Sequence, residues 1–207
     1  MLKSSHKARV APSASHSMQS KTKELRQAVL IKAAQLFSGL GYDAISLATI
    51  EAAAQVPKNV IPYHFGSKPN LWRACADYIF APVNIKMDTI AVAPDAPVDP
   101  KKIAALFVEM SAESPEVAQM IFQEAKTESW RLDYLVTQHT RPLLNKIEKA
   151  LGRRISPNQY YFLVGAGSAP FTARYECMAL FGTDPQDKAF IDAHKATLTG
   201  LVEGENS

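Results

Sequence analysis

From Lys21 onward, Val29, Ala33, Leu36, Phe37 and Leu40 recur at i, i+4, i+7, i+8 and i+11, the spacing that gathers side chains on one face of an α-helix. The run stops at "GLGY", where Gly39 or Gly41 can take the left-handed conformation that closes a helix. Ser46 then stands as N-cap to a two-turn helix whose stripe is Leu47, Ile50 and Ala54. After Gln55 and Val56, Pro57 suits the first position of a third helix, where a missing N–H costs nothing. Pro62 keeps that helix short, because its ring opposes the carbonyl of Lys58. Gly66 closes it, and Ser67 caps a fourth helix with Leu71, Trp72, Cys75, Tyr78 and Ile79 on its buried side.

Beyond Phe80 the pattern changes. Residues 81–100, "APVNIKMDTIAVAPDAPVDP", are rich in Pro and Asp and predict a helix end followed by a loop. Helical stripes resume with Ile103, Leu106, Phe107 and Met110, then with Val117, Met120 and Ile121. The clearest is Leu132, Leu135, Val136, His139, Leu143, Ile147 and Leu151, with Pro142 inside it predicting a kink. Residues 157–181 are apolar almost all round, as in a helix buried on several sides, and Gly165, Gly167, Ser168 and Ala169 are small enough to admit a close partner. A last helix over 186–201 offers Phe190, Ala193, Thr197, Leu198 and Leu201. The expected class is all-α, and the two C-terminal helices meeting their twins across a twofold axis predict a four-helix homodimer interface.

Charge divides the chain in the same place. Residues 1–80 hold ten Lys or Arg against four acids, a net +6, whereas the remainder carries −3. A basic N-terminal part joined to a mildly acidic one points to a polyanion as partner of the first alone. Residues 1–20 lack both acids and the apolar core of a secretory signal, and are expected to form a flexible basic arm. Domains are then expected over 21–80 and 81–207. No run of about 18 or more apolar residues is present, so no membrane span is expected. Cys75 and Cys177 stand alone and suggest a reducing, cytoplasmic setting. The close starts and stops around Pro57 and Pro62 match a helix-turn-helix whose third helix enters a major groove. Its far end would bring Tyr63 and His64 to the groove's rim. Lys68, beside the free N–H groups opening the fourth helix, would clamp a phosphate.

The segment "KELRQAVLIKAAQLFSGLGYDAISLATIEAAAQVPKNVIPYHFGSKPNLW" resembles the DNA-binding domain of the TetR family of bacterial transcriptional regulators. The likeness is carried by "AAQLFSGLGYDAISL", "IEAAAQV" and "YHFGSK", within residues 22–79. It implies an N-terminal three-helix DNA-binding domain followed by a helical effector-binding and dimerisation domain. It also implies that Ser46 and Thr49 approach phosphates, that Lys58, Asn59 and Val60 face base edges, and that Tyr63, His64 and Lys68 grip the backbone. Three positions depart from the family's pattern. Gln55 stands where Gly is usual and is expected in a left-handed conformation, Pro62 replaces a Tyr that commonly touches phosphate, and Asn59 replaces a small residue with an amide able to pair with adenine.

The implied function is a sequence-specific transcriptional regulator acting on a double-stranded operator, a repressor released by a small-molecule effector. The alternative is an all-α ligand-binding or scaffold protein with a degenerate head. Residues expected around an effector are Phe107, Met110, Met120, Trp130, Tyr134, His139, Phe171, Arg174 and Tyr175, most of them, Arg174 excepted, equally explicable as core. Arg174 needs a partner, with Glu124, the neighbourhood of Glu176 or an anionic ligand as candidates. The best enzyme reading takes "YYFLVGAGSAP" as a dinucleotide-binding turn, but Pro170 replaces the third Gly and no βαβ unit precedes it. No catalytic residues, no cofactor and no metal are expected, the five histidines showing no paired ligand spacing.

Overall fold

The structure, a computed structural model, describes residues 14–91 and 97–203. All of its regular elements are helical. The N-terminal head consists of α1 (Ala14–Leu40), α2 (Leu47–Ala53), α3 (Val60–Phe65) and the first half of α4 (Lys68–Ala91). The body contains α5 (Pro100–Glu113), α6 (Pro115–Glu124), α7 (Trp130–Leu135), a π-helical turn (Val136–Thr140), α8 (Arg141–Leu151), α9 (Pro157–Thr172), α10 (Arg174–Phe181) and α11 (Lys188–Glu203).

In the head, Val29, Ala33 and Phe37 of α1 pack on Ile50, Ile61, Leu71 and Trp72, all of them fully buried. The start of α1 corrects the expected arm. Residues 14–20 are its first turns, since they contain neither Pro nor Gly and lead directly into the amphipathic run. The rest of that arm lies outside the described residues. Ser46 caps α2 as expected, its Oγ accepting the Thr49 N–H at 3.0 Å. Gln55 has φ 54°, in the left-handed region where Gly is usual.

The third helix begins later than Pro57 suggests. Residues 57–59 form a turn, Asn59 takes φ 67°, and α3 opens at Val60. Pro62 is therefore the third helical residue, where no intrahelical N–H bond exists to be lost. The penalty expected from Pro62 does not arise.

The fourth helix continues well past residue 81. It runs through Pro82 to Ala91, because Val83 and Met87 are buried in the body core with Ile103, Met110, Ile147 and Leu151. Burying two such side chains, at about 1.5–3 kcal/mol each, offsets the bond that Pro82 forfeits. The expected boundary at residue 80 therefore falls inside one continuous helix.

Two other prolines are absorbed differently. Just before Pro142 the chain forms a π turn in which the Arg141 N–H donates to Val136 O, five residues back. Pro170, inside α9, cannot donate to the carbonyl of Ala166. The His194 ring nitrogen Nε2 lies 3.0 Å from that oxygen and docks α11 in its place. The single apolar helix expected over 157–181 breaks at Ala173, whose φ of −101° and ψ of 35° separate α9 from α10. Both α9 and α11 pack on α5 through Phe171, Leu198, Ala104 and Val108.

A left-handed Gln costs about 1 kcal/mol that Gly does not pay. Gln55→Gly should therefore raise the urea midpoint by an amount equivalent to about 1 kcal/mol or slightly less. A lowered midpoint would show that the Gln55 side chain contributes more than its backbone costs.

Candidate nucleic-acid interface

The angle between α2 and α3 is held by a buried acid. Glu51, with 7% of its surface exposed, accepts the Ile61 N–H at 3.1 Å and so caps α3 from the neighbouring helix. Asn59, the residue before α3, makes no side-chain cap, which leaves its amide exposed and uncommitted. Lys58 is exposed beside it, and Val60 is half-buried at the first position of α3. Tyr63 is 83% exposed and meets the ring of His64 edge-on at 4.8 Å. Ser46 and Thr49 are both exposed, their hydroxyls 2.7 Å apart. Lys68 sits over the ring of Tyr42, 4.2 Å from its centre, which holds the ammonium at the opening turn of α4.

The eight positions expected to meet DNA thus come from α2, the 57–59 turn, α3 and the start of α4. Two further contributors lie outside that expectation. Glu51 could have been suspected as the single acid in "LATIEAA", and Arg26 of α1 reaches α3 by lying 5.1 Å over Phe65. Three of the four acids in residues 1–80 are turned to structural work. Glu51 is the buried cap, Asp43 lies 3.4 Å from Arg131 of the body, and Asp77 receives Tyr134 and His139.

The sequence pattern of bacterial regulatory proteins of the tetR family matches residues 29–75, from the core face of α1 to Cys75 in α4. By this segment, the chain carries a TetR-family DNA-binding domain. It is a DNA-binding transcriptional regulator. Among solved structures, one similar to it is a Clostridium perfringens protein provisionally described as a fatty acid metabolism regulator, 19% identical, with a TM-score of 0.66 over 83% of this chain and 94% of that one. Another is a HlyIIR mutant in which one segment is replaced by a linker with two thrombin sites, 17% identical, with a TM-score of 0.59 over 86% of this chain and 98% of that one. At these identities the likeness is one of fold. No curated protein sequence matches the chain significantly.

TetR-family regulators bind DNA operators and act as dimers, with a C-terminal domain beyond the head. In this chain the residues expected around an effector fall in three places. Phe107 and Met110 line an apolar cavity in the body, together with Val83, Leu143, Ile147 and Tyr160. Met120, Trp130, Tyr134 and His139 instead form the joint between head and body. Trp130 meets Trp72 edge-on at 5.3 Å, and Met120 is part of the head core. Phe171 is buried against α5 and α11, while Tyr175 is 82% exposed. Arg174 finds its partner in Asp184, which accepts Nε at 2.9 Å and also the terminal NH2 group, a two-pronged pair joining α10 to the turn before α11. Glu124 is taken by Arg131, 2.6 Å away. Apolar residues lining a cavity and those filling a core share one sequence pattern, which is why seven of these nine lie away from the cavity.

His139, 6% exposed, stacks on Phe80 at 4.4 Å and lies 3.1 Å from Asp77, which also accepts the Tyr134 hydroxyl at 2.8 Å. Its Nδ1 has no partner, so the neutral ring donating through Nε2 fits the site. Burial holds its pKa below the ordinary 6.5, Asp77 opposing with smaller effect. Burial and the bond to Asp77 push the Tyr134 hydroxyl up to about 12, so it stays a donor. With the folded pKa depressed, the unfolded chain takes up a proton first as pH falls. The contribution of His139 is complete above 6.5 and is lost as pH drops toward the folded value. Melting temperature should therefore fall between about pH 7 and pH 5.5. His139→Phe, which keeps the stacking, should flatten that fall, and an unchanged profile in the variant would remove His139 as its source.

Proposed function

We propose that the chain is a homodimeric repressor whose two heads read successive major-groove faces of a near-palindromic operator and are released when a small molecule occupies the body. The observation that carries this reading is the presentation of Lys58 and Asn59. Both are exposed on a turn whose following helix is capped by Glu51, so neither side chain is consumed by the fold. Asn59 is placed to pair with adenine, and Lys58 and Val60 meet neighbouring base edges. Ser46, Thr49, Tyr63, His64 and Lys68 surround this turn as phosphate contacts. Half-sites then lie about 34–36 Å apart, or a multiple of that.

The alternative of a degenerate head rests on Gln55 and Pro62. Gln55 adopts the backbone its position requires, and Pro62 falls where no N–H is needed. Neither disables the helix pair.

Dimerisation is assigned to α9 and α11. Tyr161, Gly165 and Ala169 follow one exposed edge of α9, and Ala193, Thr197 and Leu201 one of α11. An added Cβ at Gly165 or Gly200 would meet nothing within 4 Å, so both helices offer small, accessible surfaces for close approach. Ala169→Arg should convert the dimer to a monomer in light scattering with little loss of monomer helicity, and a variant that stays dimeric would exclude this face.

The regulatory reading is tested by sequencing fragmented genomic DNA captured by the protein, followed by titration of the enriched site. Lys68→Ala should weaken binding to every sequence and lower the salt slope by about 1. Asn59→Gly preserves the left-handed backbone and removes the amide, so it should relax base preference at one position, by about 1–3 kcal/mol. Equal, sequence-blind losses from both would contradict the division of roles. Absence of any enriched site at low salt would overturn the regulator itself.

A further inference from the structure

The body cavity carries information about the molecule that fills it. Its enclosed part is about 60 Å³, walled by branched aliphatic side chains such as Val117, Ile121, Leu143, Ile147 and Leu163. It opens into a groove of about 540 Å³ on the protein surface. Ile121, Thr140, Leu144, Ile155, Tyr160 and Val164 line both spaces and form the neck between them. So small and apolar a chamber has room for the end of a hydrocarbon chain, the remainder lying in the groove.

Polar chemistry collects at the neck and rim. The π turn brings Thr140 to the neck and Arg141 to the groove, and π turns recur at functional sites because they re-aim side chains out of the helical register. Two arginines and one acid stand at the rim. Glu148 is committed, accepting Arg154 at 2.8 Å and the Ile155 N–H at 3.0 Å, and these bonds hold its carboxyl below the ordinary range. Arg141 makes no hydrogen bond or close ion pair among the described residues and meets Glu148 only at longer range, so two guanidinium groups face one carboxylate and the mouth keeps a net positive charge. Tyr160 stands close enough for Arg141 to act on its hydroxyl, which burial nonetheless keeps protonated and able to donate.

We infer that chamber and groove bind an amphipathic molecule with one flexible hydrocarbon chain and a terminal anion, the chain reaching into the chamber and the anion meeting Arg141. This rests on the body being the effector domain of the repressor. It also supplies the route of response. Val83 of α4 lines the chamber, so an occupant presses directly on the helix that carries the head.

The test uses full-length protein, dodecanoate as probe, and dodecanol and dodecylamine as neutral and cationic counterparts, all below their aggregation limits. Calorimetry should show saturable binding of dodecanoate, about tenfold or more tighter than dodecanol, with dodecylamine weakest. Arg141→Gln, at an exposed position, should lose about tenfold for dodecanoate and leave dodecanol unchanged. Leu144→Trp, which narrows the neck, should weaken both. Equal affinity for dodecanoate and dodecanol, indifference to Arg141→Gln, indifference to Leu144→Trp, or no saturable binding would each overturn the inference. Operator affinity is measured separately with and without dodecanoate. Binding as expected with no change in operator affinity would retain the ligand class and remove the effector role.

Discussion

The structure depends on α4 belonging to two hydrophobic cores at once. Leu71, Trp72, Cys75, Ala76, Ile79 and Phe80 are buried with α1, α2 and α3, and one turn later Val83 and Met87 are buried with α5 and α8. The body returns the contact, since Met120 and Leu135 complete the head core. A helix of 24 residues spans about 36 Å and cannot bend sharply without giving up its hydrogen bonds. Head and body therefore do not hinge freely about a linker. Any change in body packing that displaces Val83 therefore bears on the head through the helix they share.

The joint beside that helix is polar and aromatic where a purely structural contact would be aliphatic. Arg131 is bonded to buried Glu124, reaches Asp43, and lies 4.6 Å over Tyr42, whose ring also holds Lys68. Such a network fixes geometry more than it adds stability, because desolvating the charges consumes most of their attraction. What it fixes is the position of Lys68 at the start of α4. The same economy explains the charge asymmetry. The head is basic overall, yet it contains acids, and Asp43 and Asp77 are engaged by the body while remaining exposed, and Glu51 caps α3.

Much of the head was legible because its constraints are local. Ser46 as a cap, Gly66 as a stop and Gln55 as a left-handed residue are dictated by backbone chemistry that needs no knowledge of neighbours. The body was legible as helices and poorly legible as a site. Nothing in the spacing of Met110 and Met120 distinguishes them, yet the first borders the cavity and the second is buried in the head core. That difference arises from how helices are placed against one another, which periodicity does not encode. The length of α4 was missed for a related reason. Pro82 is a valid stop signal, and only the tertiary burial of Val83 and Met87 outweighs it.

Prolines show where such local rules give way and how the surrounding fold compensates. Four prolines lie within or near helices, and none can donate to the carbonyl four residues earlier. At Pro62 the helix is too young for the loss to matter, and at Pro82 buried side chains outweigh it. At Pro170 the orphaned oxygen of Ala166 becomes the docking point for His194, so a defect in α9 is converted into a bond that seats α11. At Pro142 the backbone shifts register instead, and the Arg141 N–H moves to Val136 O. A regular α-helix through this segment would rotate every later side chain by about 100° relative to the turn that includes an extra residue. The position of Arg141 at the mouth of the cavity is thus inseparable from Pro142, and the residue that breaks the helical rule also sets the charge that an occupant of the cavity encounters.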